Sequence, residues 1–185
     1  QVGQLFVKDF SRFMSRKDVV VLGGNDNSDR RDFEEYYQYE VDLPRGWNLK
    51  WYAQKSGDWW TMFCVETGAK MRFSFEENPQ DLWRSVYPEL IDFKITDYCP
   101  FDCPFCYQDS SRHGVHAPLS TIESYLEMMS NSGVFEIAFG GGEPTLHPDF
   151  VKILRKTHSL GIVPNFTTKV TPEHWSPDLL QAVME

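Results

Sequence analysis

After Pro88 the chain alternates between strand patterns and helix patterns, and this alternation constrains the fold more than any other feature. Residues 89–96, ELIDFKIT, put Leu90, Asp92, Lys94 and Thr96 on one side of a strand and Ile91, Phe93 and Ile95 on the other. A helix is expected from Ser120, which with Glu123 has the form of a capping box. Ile122, Tyr125, Leu126 and Met129 follow at helical spacing, and Gly133 closes the helix. A second strand is expected at 134–140 and a second helix at about 148–160, with Phe150, Val151 and Leu154 inward and Gly161 at its end. A third strand falls at about 162–168, although Pro164, which cannot donate to a ladder, argues that it begins after that residue. Ser176 and Pro177 then read as the N-cap and first position of another helix, and the sequence looks cut off at both ends. Three such units make an α/β fold with a parallel sheet, in which functional groups gather at the carboxyl ends of the strands. The loops at those ends are CPFDCPFCYQ, GGGEPTLHP and FTTKV.

Residues 1–88 follow a different grammar. Within 4–21 a short helix followed by the apolar run VVVLGG is expected, and residues 23–35 have the turn-forming, charged composition of an exposed loop. From Trp47 the runs WNLKWYAQ, WWTMFCVE and KMRFSFE, separated by KSGD and ETGA, predict a three-stranded antiparallel meander, with Met71, Phe73 and Phe75 on one face. Five tryptophans among residues 47–83 are read as core-building rings rather than a ligand site. The expected division is therefore 1–88, a small β-rich antiparallel region, and 89–185, the α/β core.

With 41% apolar residues and no apolar run near the roughly 18 needed to span a bilayer, a soluble cytoplasmic protein is expected, with no membrane attachment. Residues 89–185 carry 6 basic and 13 acidic side chains. That sign repels phosphate backbones, so nonspecific nucleic-acid binding is unlikely for this half.

Three of the four cysteines, Cys99, Cys103 and Cys106, fall within eight residues of the first loop, and Cys64 lies far upstream. Such clustering suits metal or iron–sulfur ligation in a reducing compartment rather than a disulfide framework. Structural zinc wants four protein ligands, whereas a cubane cluster can be held by three thiolates with one iron left open. In the second loop, three glycines before Glu143 and Pro144 let backbone groups approach a ligand closely, and the carboxylate could hold an ammonium group.

On these residues the chain resembles the radical S-adenosylmethionine enzymes. Their hallmark is a three-cysteine loop with three-then-two spacing and an aromatic residue before the last cysteine, here Cys99, Cys103, Phe105 and Cys106. Their GGEP motif is matched by Gly141, Gly142, Glu143 and Pro144. The resemblance covers about residues 89–185 and implies the first half of a partial (β/α)6 TIM-like barrel. It further implies a 4Fe–4S cluster on the three cysteines, whose open iron is chelated by the amino and carboxylate groups of S-adenosylmethionine. Gly141, Gly142, Glu143 and Pro144 would hold the methionine amino group. The backbone around Phe105 and Tyr107 would meet the adenine, and Asn165, Thr167 and Thr168 the ribose or carboxylate. An electron from a flavodoxin- or ferredoxin-like donor would cleave the sulfonium and release a 5′-deoxyadenosyl radical that takes hydrogen from a substrate the sequence does not name.

Two rival readings stand beside this one. Three thiolates with His113 or His116 could complete a zinc tetrahedron in a binding module. A half-barrel with an unpaired edge strand could also be an inactive or partner-dependent scaffold.

Overall fold

The computed structural model describes residues 20–21, 39–42, 48–56, 59–65, 67–74, 85 and 87–185. The expected helix within 4–21, apart from Val20 and Val21, and the loop at 23–35 lie outside the described residues, as do Trp47, Phe75 and Trp83. The chain divides into two compact units, Gln1–Pro88 with Asn131–Gly133, and the remainder from Glu89 onward.

The first unit holds a five-stranded sheet of β1 (Val20–Val21), β2 (Tyr39–Asp42), β3 (Asn48–Ser56), β4 (Trp59–Cys64) and β5 (Lys70–Ser74). Strands β3, β4 and β5 form an antiparallel meander in the register Trp51↔Cys64 and Trp59↔Ser74. Two strands without a sequence pattern of their own join it. Antiparallel β2 (Tyr39↔Trp51) and parallel β1 (Val20↔Tyr52) share the edge of β3 that β4 leaves free. Trp59, Met62, Phe63 and Cys64 are buried along β4, so here the large rings serve as core.

The second unit is a parallel sheet in the order β6 (Leu90–Thr96), β7 (Glu136–Gly141), β8 (Val163–Phe166). Its helices are α1 (Leu119–Asn131), α2 (Phe150–Ser159) and α3 (Pro177–Met184). The apolar strand face, Ile95, Ile137 and Phe139, packs with Ile122, Leu126, Phe150, Ile153, Leu154 and Leu179 into one core. Edge-to-face contacts of Phe139 with Phe150 and of Phe150 with Phe166 run through it. The other face follows from the register: Asp92, Lys94 and Thr96 of β6, Ala138 and Gly140 of β7 and Asn165 of β8 share it. The sheet is thus dry on its helix side and polar on the side that leads to the loops.

Local details depart from the sequence pattern. Helix α1 begins at Leu119, and the Pro118 carbonyl accepts from Thr121 and Ile122, so Ser120 lies inside the first turn and is not the cap. Tyr125, which shares the helical spacing of Ile122, Leu126 and Met129, is 47% exposed and meets Phe93 edge-on. Helix α2 starts at Phe150, not Pro148, because Pro144–Leu146 form a separate 3-10 turn ahead of it. Pro164 sits within β8: the Val163 N–H donates toward β7, so the Pro164 nitrogen faces away from that partner and no ladder bond is lost. At α3 the Ser176 hydroxyl accepts from the Leu179 N–H with Pro177 in the first position, as its sequence indicates.

Candidate functional site

The first loop leaves β6 at Asp97 and returns at Val115, and its two limbs are tied together by the backbone. Asp97 N–H donates to Val115 (2.9 Å), Cys99 N–H to Ser111 (2.9 Å), and Ser111 N–H to Asp97 (3.1 Å). Gly114 makes this neck possible, since a Cβ there would lie 2.1 Å from the Asp97 carbonyl carbon. Beneath the neck the buried Thr96 hydroxyl accepts from the Tyr98 N–H and bonds His116 Nδ1 at 2.9 Å. Burial, with the neighbouring His147 ring second, holds His116 below the ordinary histidine value.

The neck presents the three cysteines at the tip, Cys99 and Cys103 half-buried and Cys106 exposed, all as free thiols. Cys106 N–H donates to the Cys103 carbonyl at 3.1 Å, and Asp102 and Asp109 adopt positive φ on either side of that turn. Facing backbone N–H groups of Ser110, then Gln108, hold the Cys106 thiol below its ordinary value, which favours the thiolate that ligates metal.

The GGEP loop docks onto this neck. Gly142 N–H donates to the Thr96 carbonyl at 2.7 Å and Glu143 N–H to the Tyr98 carbonyl at 2.8 Å. A Cβ on Gly141 or Gly142 would stand 2.1 Å from Thr96 O or 2.0 Å from Tyr98 O, and Gly141 has φ +114°. These two glycines therefore join loop to loop. Gly140, absent from the expected set, is the one whose missing side chain leaves open space on the polar sheet face.

Glu143 is 3% exposed and heavily bonded. Its Oε1 accepts from Thr145 Oγ1 (2.6 Å), Thr145 N (3.2 Å) and Thr168 Oγ1 (2.6 Å), and its Oε2 accepts from Lys169 N (3.0 Å). The carboxylate ties the second loop to the third, with acceptor capacity left at Oε2. Thr168 is thus tied to the second loop through Glu143, and the next residue, Pro144, is buried. Phe105 and Tyr107 are 83% and 91% exposed at the loop tip, and Thr167 is exposed. Asn165 lies farther down the polar face, where its amide reaches Glu136 at 3.4 Å.

Pattern reading missed Thr145, His147 and Lys169. His147 is buried, with Nδ1 accepting from Asp149 N–H and Nε2 bonded to the Ala117 carbonyl, which ties the second loop to the end of the first. Lys169 Nζ lies 3.1 Å from Cys103 Sγ, which raises the lysine pKa. It is the one lysine or arginine in the three loop stretches, and that was its only signal in sequence.

The donor set is three thiols on one loop, the number a cubane cluster needs when one of its irons is left open. Tetrahedral zinc would draw its sulfurs to about 3.8 Å of one another. Among the described residues no three His, Cys, Asp or Glu side chains, the three cysteines included, come together as a metal-ion site. The zinc candidates also lie elsewhere: His116 is engaged by Thr96 and packs on Tyr98 and His147, and His113 is exposed. Three free thiols at one tip, beside a glycine-edged loop and a buried carboxylate, fit an iron–sulfur cluster that leaves one iron to a small ligand.

The model of the radical SAM superfamily matches residues 93–185. The PqqA peptide cyclase of Rhodopseudomonas palustris is 32% identical over 83 residues, 44% of this chain and 22% of that protein. The PqqA peptide cyclase of Ruegeria pomeroyi is 31% identical over 96 residues, 49% of this chain and 25% of that protein. The chain spans about a quarter of the length of these curated relatives. Streptococcus suis SuiB is similar in fold at a TM-score of 0.53 with 12% identity, over 73% of this chain and 43% of that one. Its structure bound to S-adenosylmethionine gives 0.53 with 13% identity, over 70% and 44%. A family model covering half the sequence, laid over the half that carries both loops, establishes that the chain belongs to the radical SAM superfamily, whose enzymes use a 4Fe–4S cluster and S-adenosylmethionine.

Proposed function

We propose that this chain carries the cofactor-binding part of a radical SAM enzyme that acts on a peptide. The observation that carries the reading is the docking of the GGEP loop onto the neck of the cysteine loop through Gly142 and Glu143. Cys99, Cys103 and Cys106 hold the cluster. A cluster held there would supply the one-electron chemistry by which the carbon–sulfur bond of S-adenosylmethionine is cleaved to methionine and a hydrogen-abstracting radical. The protein's part is positional. Gly141, Gly142 and Pro144 shape the edge against which the methionine amino group rests, and Glu143 Oε2 keeps acceptor capacity toward it. Thr145 and Thr168 hold that carboxylate still. Phe105 and Tyr107 offer aromatic surface to the adenine, while Thr167 lies toward the nucleoside and Asn165, bonded to Glu136, lines the polar face below it.

The three parallel strands are read as the first three of a partial (β/α)6 barrel, whose inner face is the polar face of Asp92, Lys94, Gly140 and Asn165. The peptide substrate is inferred from relatives named as peptide cyclases. A flavodoxin- or ferredoxin-like protein supplies the electron. The cytoplasm is the compartment that keeps the thiols reduced, and no helix among the described residues is long and apolar enough to cross a membrane.

Anaerobic reconstitution with iron and sulfide tests the site. Broad absorbance near about 400 nm, the thiolate-to-iron charge transfer of such clusters, should appear in the wild type and in Cys64→Ala. It should be lost in Cys99→Ala, Cys103→Ala and Cys106→Ala. An intact cluster in any of the last three contradicts the ligand set, and uptake of zinc without that absorbance restores the binding-module reading. The radical step is read by 5′-deoxyadenosine formation from S-adenosylmethionine after reduction.

A further inference from the structure

The half of the chain from Glu89 holds six lysines and arginines, and five of them meet carboxylates: Lys94 with Asp97, Arg112 with Asp102, Lys152 with Asp149, Arg155 with Asp178 and Glu185, and Lys156 with Glu127. The sixth is Lys169. Among the described residues its ammonium pairs with no carboxylate, although this half carries 13 acidic side chains. It lies instead 3.1 Å from Cys103 Sγ and 5.9 Å from the centre of the Phe101 ring. Its backbone is held as well, because the Lys169 N–H donates to Glu143 Oε2 and the preceding Thr168 hydroxyl to Oε1. An uncompensated positive charge is thus aimed from a fixed backbone at one sulfur of the cysteine loop.

We propose that Lys169 sets the reduction potential of the cluster held by Cys99, Cys103 and Cys106, raising it by favouring the reduced state. The proposal rests on the cluster reading above. Reduction adds one electron, supplied by the external donor, to a cluster whose thiolate ligands already make it anionic. A cation with an N–H pointed at a ligand sulfur stabilises that extra charge, and hydrogen bonds to the sulfurs are among the levers that set cluster potentials. The lysine is exposed, so water and salt screen its charge and the effect is of the order of a decade rather than many. Lys169 would act on the electron-accepting step without touching the substrate.

The test is a mediated redox titration of the reconstituted full chain under argon, with dithionite as reductant and the paramagnetic signal of the reduced cluster as readout. Iron and sulfide per chain are measured for the wild type, Lys169→Met, Lys169→Gln and Lys169→Arg. Lys169→Met should keep the iron and sulfide content and shift the reduction equilibrium about tenfold toward the oxidised form, 59 mV for a one-electron couple. Lys169→Arg should stay near the wild type, and Lys169→Gln, which keeps a donor without the charge, should fall between. A full cluster in Lys169→Met at the wild-type potential or above overturns the proposal, as does a Lys169→Arg potential as low as that of Lys169→Met. Loss of the cluster in Lys169→Met also overturns it, by making the lysine a holder of the ligand. Failure of the wild type to take up a cluster is a different result, and it removes the proposed function itself.

Discussion

Single residues decide whether the two motif loops can meet. Gly142 gives up its side chain to the Tyr98 carbonyl, and Gly141 gives up its own to Thr96 while occupying φ +114°. Gly142→Ala should therefore destabilise the second unit by about 3 kcal/mol, the upper end of what overpacking costs, with the loss visible as a lower urea midpoint before any cofactor is added. Gly140→Ala meets open space and should leave that midpoint within about 0.5 kcal/mol of the wild type, as surface changes usually do. An equal loss in both variants would contradict the docking geometry. At this scale the three cysteines and GGEP were legible because their chemistry is local in sequence. Lys169 was not, since it lies 66 residues from the sulfur it meets, and only the sheet brings the two together. Asn165 shows the converse: a polar residue at the right strand end whose amide is turned to Glu136.

Among the elements, the alternation after Pro88 was readable because each strand presents one continuous apolar face and each helix a 3.6-residue stripe. Their ends were less so. Ser120 and Glu123 have the spelling of a capping box, yet the Pro118 carbonyl already closes the first turn. Strands β1 and β2 are held by the free edge of β3, a relation that no pattern within two or four residues can encode. The neck of the first loop offers a test at the same scale. Because burial holds folded His116 below its ordinary value of 6.5, the unfolded chain binds more protons between the folded value and 6.5. The stability of the second unit should therefore be fully present above pH 6.5 and decline as pH falls through the window beneath it. His116→Gln should flatten that part of a denaturation series run from pH 7.5 to 5.5, and an unchanged slope would remove His116 as its origin.

For the whole molecule, the loops at three strand ends meet only because the parallel sheet sets them side by side, and the proposed ligand surface depends on that. Linkage makes this measurable. In the cluster-loaded chain, S-adenosylmethionine at 100 times its dissociation constant should add about 2.7 kcal/mol, a rise of roughly 10–20 °C in the transition that follows the second unit. The same addition to cluster-free chain should move it far less, and equal shifts would place the ligand away from the cysteines. The neck of the first loop is closed by the protein's own amides and carbonyls, from Asp97 and Val115 to Cys99 and Ser111, with no contribution from the thiols. Shape and cargo are therefore separable in time. If the proposed cluster were lost to oxygen, these backbone bonds would still close the neck, so new iron and sulfide would meet a loop already folded.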